Sequence, residues 1–384
     1  MTLSTFSFPT TTIFGPGAIK ELPQRLRGLR MNRPLVVTDP GLIHTDAFAA
    51  LQDTLGKSQR DKEWFVFSSV HPNPIEQDVV RGAEEYRRAQ CDGVIAFGGG
   101  SALDAGKAVR LLLKKPSLNL AEFDWKDDWY GLAPCIAIPT TAGTGSEVGR
   151  SSVIILEKTQ KKSVLFHPGL LANLVLLDPE LTRGLPPKLT AATGADALTH
   201  AIESFTSPVF HPLCDGIALE AIHIIVEALQ RAYRDGNDID ARGKMLVAAA
   251  MGAVAFQKDL GATHSLAHPL STICGMHHGL ANALCLPTVM RFNAGRKPGL
   301  YRRVGISCGL DVLRAEPKDA DAETIDFVTE FLIDLGIRPG LRNYDVTEQH
   351  IDLMVPQAIA DGCHHTNPVP VTEADLRELY LQAL

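Results

Sequence analysis

The 384-residue sequence is short of the features that would assign it to a membrane, a secreted scaffold or a nucleic acid. Its seven cysteines, at 91, 135, 214, 274, 285, 308 and 363, are odd in number and scattered, with no CxxC pair. That usage excludes a disulfide framework and a cysteine-rich zinc module, and it fits reduced thiols. The longest apolar run, residues 245–256, has twelve residues, well short of the ~20 that a membrane span needs. Lys and Arg number 37 against 44 Asp and Glu, a net charge of −7. Such a balance excludes the basic face that nucleic acids and anionic membranes select. The opening stretch MTLSTFSFPTTTIFG lacks the basic start and apolar core of a secretion signal, so a cytoplasmic protein is expected. No internal repeat or low-complexity segment interrupts a composition typical of globular proteins.

What is present divides into two halves. Short apolar, β-branched runs at 35–38, 64–67, 93–97, 135–138, 152–156 and 174–177 alternate with helical patterns. Near-continuous apolar strands with helices between them predict a mainly parallel, Rossmann-like sheet covered on both faces. After the turn-rich segment 178–187, Ala, Leu, Ile and Glu recur at helical spacing and strand-like runs nearly vanish. The expected architecture is an α/β domain over residues 1–186 and an all-helical domain over 187–384.

The first half carries two loops suited to a dinucleotide. Gly98-Gly99-Gly100-Ser101-Ala102-Leu103-Asp104-Ala105-Gly106-Lys107 follows the strand GVIAFG, and a glycine turn into a helix N-terminus favours an anion. It is neither GxGxxG nor GxxxxGK[ST], and such turns are often purely structural. Thr140-Thr141-Ala142-Gly143-Thr144-Gly145-Ser146 follows the strand CIAIP and gathers hydroxyls that can donate to a pyrophosphate or ribose, or to their own backbone. Ligands of open α/β sheets bind at the carboxyl ends of strands, which is where both loops fall. Asp39, ending LVVTD, is placed either to accept from an adenosine ribose, favouring NAD over NADP, or to start a turn.

The second half carries metal-ligand chemistry. Four of the thirteen histidines fall at 264, 268, 277 and 278, and Asp196 and His200 stand one helical turn apart in GADALTHAIE. His264 and His268 are again one turn apart, and Gly275 and Gly279 flank the last pair, predicting a bend. Carboxylate and imidazole together are divalent-metal ligands. A four-ligand site is expected, with the chemistry alone leaving open which histidines complete it.

The series GGGSALDAGK, PTTAGTGSE, GADALTHAIE, HSLAHP and HHGLANALCLP resembles the iron-containing (group III) alcohol dehydrogenases. That family shares its fold with glycerol dehydrogenase and dehydroquinate synthase, and the likeness runs from IFGPG near residue 13 to CHHTNP at 363–368. The resemblance implies a metal held by Asp196, His200, His264 and His278, with His277 a neighbour and His268 near the reacting centre. Gly99, Gly100, Ser101, Asp104, Thr140, Thr141, Thr144, Asn73 and Lys162 are implied for the dinucleotide, with Asp39 as ribose reader. It further implies NAD as cofactor, Fe²⁺ as the favoured ion with Zn²⁺ or Mn²⁺ also suited, and an even-numbered homo-oligomer such as a dimer.

The chemistry that follows is a metal-assisted hydride transfer between NAD(H) and a small alcohol or aldehyde, with His268 either relaying the proton or orienting the cofactor or water. Arg150, in a segment where relatives carry neutral residues, and Lys258, six residues before His264, are expected to hold an anionic substrate tail. A hydroxy acid or semialdehyde would then be preferred. The alternative is that Arg150 pairs locally and Lys258 is solvated. Cys363 and His365 are expected to border the pocket by resemblance. A dehydroquinate-synthase-like lyase would need a denser basic pocket, and a maleylacetate-type reductase would not keep all four ligand types.

Overall fold

The computed structural model describes residues 8, 10–58, 63–159 and 161–384. It divides into an α/β unit, residues 8–141 and 145–185, and a helical unit that comprises residues 186–384 with the tripeptide 142–144.

The α/β unit is built on a six-stranded sheet of β1 (Thr12–Phe14), β2 (Pro34–Val37), β3 (Phe65–Phe67), β4 (Gly93–Gly98), β5 (Cys135–Pro139) and β8 (Leu174–Leu177). Their order is β1-β8-β5-β4-β2-β3, and every neighbouring pair is parallel. β2, β4, β5 and β8 are buried throughout, which is why they read as unbroken apolar runs. Two strands depart from expectation. β1 is a three-residue edge strand with exposed ends, too brief to announce itself. The run 152–156 does not join the parallel sheet: β6 (Ser151–Leu156) pairs antiparallel with β7 (Lys161–Phe166) in a separate hairpin. Its burial alternates residue by residue, the signature of a strand with only one covered face.

Helix α1 (Gly100–Lys114) follows β4 directly. Gly98 adopts φ +144°, and a Cβ there would lie 2.9 Å from Ala102 Cβ, so the turn from β4 into α1 admits no side chain.

The helical unit is organised around α2 (Pro187–Thr206), buried over nearly its whole circumference, as a helix surrounded by others must be. It packs against α3 (Pro212–Arg234), α4 (Ile239–Ala255) and α6 (His278–Arg296), and α5 (Ala262–Cys274) packs on α6. Leu198, Ile202, Ile222, Leu229 and Leu270 lie in one apolar core, each buried side chain contributing roughly 1.5–3 kcal/mol. Pro269 is accommodated inside α5, which ends at Gly275 in the left-handed region at φ +66°. That turn lets α6 start three residues later with His278. Among the described residues, no single helix is long and apolar enough to cross a membrane. None of the seven cysteines is in a disulfide.

Candidate active site

Three helices of the helical unit bring the expected ligands together. α2 supplies Asp196 and His200 from one face, α5 supplies His264 and His268, and the first residue of α6 is His278. The approach of α6 to α2 depends on Gly279, where a Cβ would overlap the Ala192 carbonyl oxygen and lie 3.1 Å from Asp196 Cβ. Ligand atoms of Asp196, His200 and His264 all lie within 4.8 Å of one another. Asp196 Oδ1 is 3.8 Å from His200 Nε2 and 3.7 Å from His278 Nε2. His200 and His264 stack at 4.8 Å, and His264 and His278 meet at 5.4 Å between ring centroids. His277 is exposed just before α6.

This cluster fits a divalent ion. The separations from Asp196 are too long for hydrogen bonds, whereas donors ~2.0–2.1 Å from a tetrahedral ion stand about 3.3–3.4 Å apart. Burial, the largest influence, pushes the His200 pKa down to about 4, so its imidazole is neutral and offers a lone pair. Asn282, one turn into α6, directs Nδ2 at Asp196 Oδ1 (2.7 Å), His264 Nε2 (3.1 Å) and His278 Nε2 (3.3 Å). Its Oδ1 is buried without a partner, an orphaned acceptor beside the donor atoms.

Two further carboxylates and the Asn282 amide were not foreseen. Glu203 accepts from His264 Nδ1 at 2.6 Å and from the Thr263 amide at 2.7 Å. Burial works to raise the Glu203 pKa, but the hydrogen bonds and charge of His264 and the Thr263 donors hold it below its ordinary value. Burial likewise works against protonation of His264, and Glu203 overrides it and raises that pKa. Asp361 accepts from His268 Nδ1 at 2.7 Å, from Ser265 Oγ at 2.8 Å and from the Cys363 amide at 2.9 Å. Against its burial, these contacts keep the Asp361 carboxyl well below the carboxylate range. A carboxylate only accepts, so His268 carries its proton on Nδ1 and presents Nε2 as acceptor. His268 stacks on His278 at 5.2 Å. Glu203 and Asn282 share helix faces with His200 and His278, spacings that could have marked them. Nothing local marks Asp361, 93 residues from His268.

Five of the dinucleotide candidates of the α/β unit lie at the carboxyl ends of three adjacent strands. Asp39 follows β2, Gly99 and Gly100 follow β4, and Thr140 and Thr141 follow β5. The Thr140 amide donates to Gly98 O at 3.0 Å, tying the two loops together. Asp39 Oδ1 accepts from the Gly41 and Leu42 amides at 2.9 and 3.0 Å, so the turn-starting role is real. Its Oδ2 lies 3.5 Å from the Cβ position of Gly98, beside the glycine loop. Asn73, Thr141 and Lys162 are half-buried, Lys162 opposite Ile155 in the hairpin. Ser101 Oγ donates to Pro72 O. Thr144 belongs with the helical unit.

Two of the expected site residues already have partners within the protein. Asp104 faces inward: it accepts from Ser146 Oγ at 2.5 Å and the Val153 amide at 3.1 Å, and pairs with Lys107 at 3.1 Å. Its carboxylate braces the hydroxyl loop. Lys258 is neither a free cation nor solvated; it is buried, and its ammonium is held by Asp215 and by Phe205 O at 3.2 Å. A fully desolvated ammonium survives only with such partners, so its charge is already balanced by Asp215. Arg150 is half-buried with its guanidinium over the Phe166 ring at 5.3 Å. Cys363 is half-buried, its thiol pKa pushed well up by burial and by Asp361. His365 is exposed, 4.2 Å from the His364 ring.

A parallel sheet with phosphate-suited loops and a helical unit with a buried carboxylate–imidazole cluster define a two-part, nucleotide-and-metal type of architecture. Comparison with known proteins gives the class its family. The profile described as iron-containing alcohol dehydrogenase matches residues 9–179, and that of the Fe-containing alcohol dehydrogenase family, C-terminal, matches residues 190–384. The chain belongs to the iron-containing alcohol dehydrogenase family and is an enzyme of that kind. It is 38% identical to a 4-hydroxybutyrate dehydrogenase of Cupriavidus necator over 96% of each chain. A solved structure of 1,3-propanediol oxidoreductase superposes with TM-score 0.95 at 33% identity, covering 99% of this chain and 100% of the other. The sulfoacetaldehyde reductase of Bifidobacterium kashiwanohense, solved with NAD+, superposes with TM-score 0.83 at 31% identity, covering 100% and 99%.

Proposed function

We propose that this enzyme moves a hydride between NAD(H) and a small alcohol or aldehyde carrying an anionic tail, with a divalent ion held by Asp196, His200, His264 and His278. The buried convergence of one carboxylate with three imidazoles carries the reading. When bound, the ion would polarise the substrate oxygen and NAD would accept or give the hydride. The chain's own residues do the rest. His268, its Nδ1 proton committed to Asp361, offers Nε2 to the proton released from the alcohol. Gly99, Gly100, Ser101, Thr140, Thr141, Thr144, Asn73 and Lys162 hold the dinucleotide, Asp39 reads the ribose, and Asp104 keeps the hydroxyl loop in shape.

The anionic tail is supported by likeness: two similar proteins are named for 4-hydroxybutyrate and sulfoacetaldehyde, a carboxylate and a sulfonate. Arg150 is the residue proposed to bind it, with Cys363 and His365 bordering the substrate. We further assign the enzyme to the cytoplasm, in keeping with its free thiols, and to an even-numbered homo-oligomer. The test is NADH formation from 4-hydroxybutyrate and from 1-butanol, before and after chelation, in wild type and Arg150→Ala. Activity lost on chelation and restored by metal supports the class. The tail is supported if Arg150→Ala lowers kcat/KM for the hydroxy acid more than for butanol. An unchanged ratio removes Arg150 from substrate binding, and metal-independent turnover removes the mechanism.

A further inference from the structure

Glu203 lies outside the proposed ligand set, yet it is 5% exposed and, among the described residues, has no lysine or arginine as a hydrogen-bond partner. A bare buried carboxylate is costly, so its placement demands a function for its charge. Its two oxygens act in two directions. Oε1 accepts the Thr263 amide at 2.7 Å, one of the first-turn N–H groups of α5 that no residue of that helix can satisfy. The N-cap of α5 is Gly261, which offers no side chain of its own. Oε2 accepts from His264 Nδ1 at 2.6 Å. Because a carboxylate cannot donate, this contact puts the His264 proton on Nδ1 and leaves Nε2 bare toward Asp196, His278 and Asn282. Glu203 is one turn along α2 from His200, so one helix face provides Asp196, His200 and the group that orients a third imidazole.

Resting on the metal assignment above, we propose that Glu203 is a positioning residue for the ion: it fixes the tautomer and ring orientation of His264 and supplies the second negative charge. With neutral imidazoles, the buried carboxylates of Asp196 and Glu203 would together balance a divalent cation. Carboxylates behind metal-bound histidines raise ligand basicity in this way. Glycine at 261 belongs to the same arrangement, since a Cβ there would come 2.7 Å from Glu203 Oε1 and 3.0 Å from Asn367 Oδ1.

The role separates from simple helix capping through Glu203→Gln. Glutamine keeps an oxygen for the Thr263 amide, but its NH2 faces His264 Nδ1 and forces the proton onto Nε2, the nitrogen meant for the metal. The measurement is Zn²⁺ affinity of the full chain by competition with a chromophoric chelator, for wild type, Glu203→Gln, His264→Ala and the double variant. Loss of about 10–100-fold is expected for Glu203→Gln. In the His264→Ala background the same change should add less than about threefold, because the effect runs through His264. Gly261→Ala, which displaces the carboxylate without removing its charge, should also weaken Zn²⁺ binding and serves where Glu203→Gln fails to fold. Affinity within threefold of wild type in the folded Glu203→Gln chain, or in Gly261→Ala if that is the one that folds, overturns the proposal while His264→Ala still weakens binding measurably. If wild type itself takes up no Zn²⁺, or His264→Ala binds as tightly, the metal assignment fails and this inference with it.

Discussion

Two glycine-to-alanine changes on the same helix should move stability in opposite directions. In α6, Gly279→Ala would drive a methyl into the Ala192 carbonyl, 2.8 Å from its carbon and overlapping its oxygen, while Gly295 has nothing within 4 Å of its Cβ position. Overpacking costs ~1–3 kcal/mol when side chains can give way. The obstacle here is backbone of the central helix, so the upper value of ~3 kcal/mol applies. Alanine's better helix propensity returns up to ~1 kcal/mol, leaving a loss of about 2 kcal/mol. For a domain of this size that is a Tm lowered by roughly 4–8 °C. Gly295→Ala meets no obstacle and should gain up to ~1 kcal/mol, a Tm raised by as much as ~4 °C. Because Gly279 adjoins His278 and faces Asp196, the first variant should also bind Zn²⁺ more weakly, and the second should not. Calorimetry with and without chelator, alongside the chelator competition, reads all of this. If both variants shift Tm in the same direction, or Gly279→Ala binds Zn²⁺ as wild type does, the close contact of α6 with α2 is not what forms the cluster.

Other perturbations separate structure from chemistry. Lys258→Met leaves Asp215 facing an apolar group; breaking buried pairs costs ~3–5 kcal/mol, and the 29% exposure of Asp215 brings this to about 2–3 kcal/mol. Denaturation midpoints should fall while the ratio of kcat/KM for hydroxy acid and plain alcohol stays fixed; a changed ratio would return Lys258 to the substrate. Burial lifts the Glu147 pKa from 4.5 to about 7. The folded state therefore holds this proton more tightly than the unfolded chain, and the contribution present below pH 4.5 is lost as pH rises through 7, about 3 kcal/mol in all. Glu147→Gln should flatten the decline in unfolding free energy between pH 5 and 8, and a slope equal to wild type would show that Glu147 is not its source. Asp39→Ser should raise the NADPH-to-NADH ratio of kcat/KM by about tenfold, ~1.4 kcal/mol of relieved repulsion. A constant ratio would leave Asp39 only its turn.

Much of the architecture was legible because burial writes itself into sequence. β2, β4, β5 and β8 are covered on both faces and appear as unbroken apolar runs, whereas β1, three residues at an edge, carries no such signal. The run at 152–156 was placed in the wrong sheet because its β-branched composition masked a burial that alternates. At the site, Asp196 with His200 and His264 with His268 were readable from helical spacing. Partners that meet only through folding were not: Asp361 reaches His268 across 93 residues, and Asp215 reaches Lys258 across 43. Charge type is visible in a sequence, but whether that charge is already satisfied depends on such long-range partners. The partners of Asp104 and Lys258 went unseen for that reason, and Glu203 was not singled out at all.

The most direct test of the account is anomalous diffraction at the zinc edge from crystals of the full chain grown with Zn²⁺. The expected result is one strong peak bonded to the Asp196 carboxylate and the imidazoles of His200, His264 and His278. No peak among those four, or a peak held instead by the neighbouring His268, Asp361 and Cys363, whose donor atoms also converge within 4.8 Å, would contradict it.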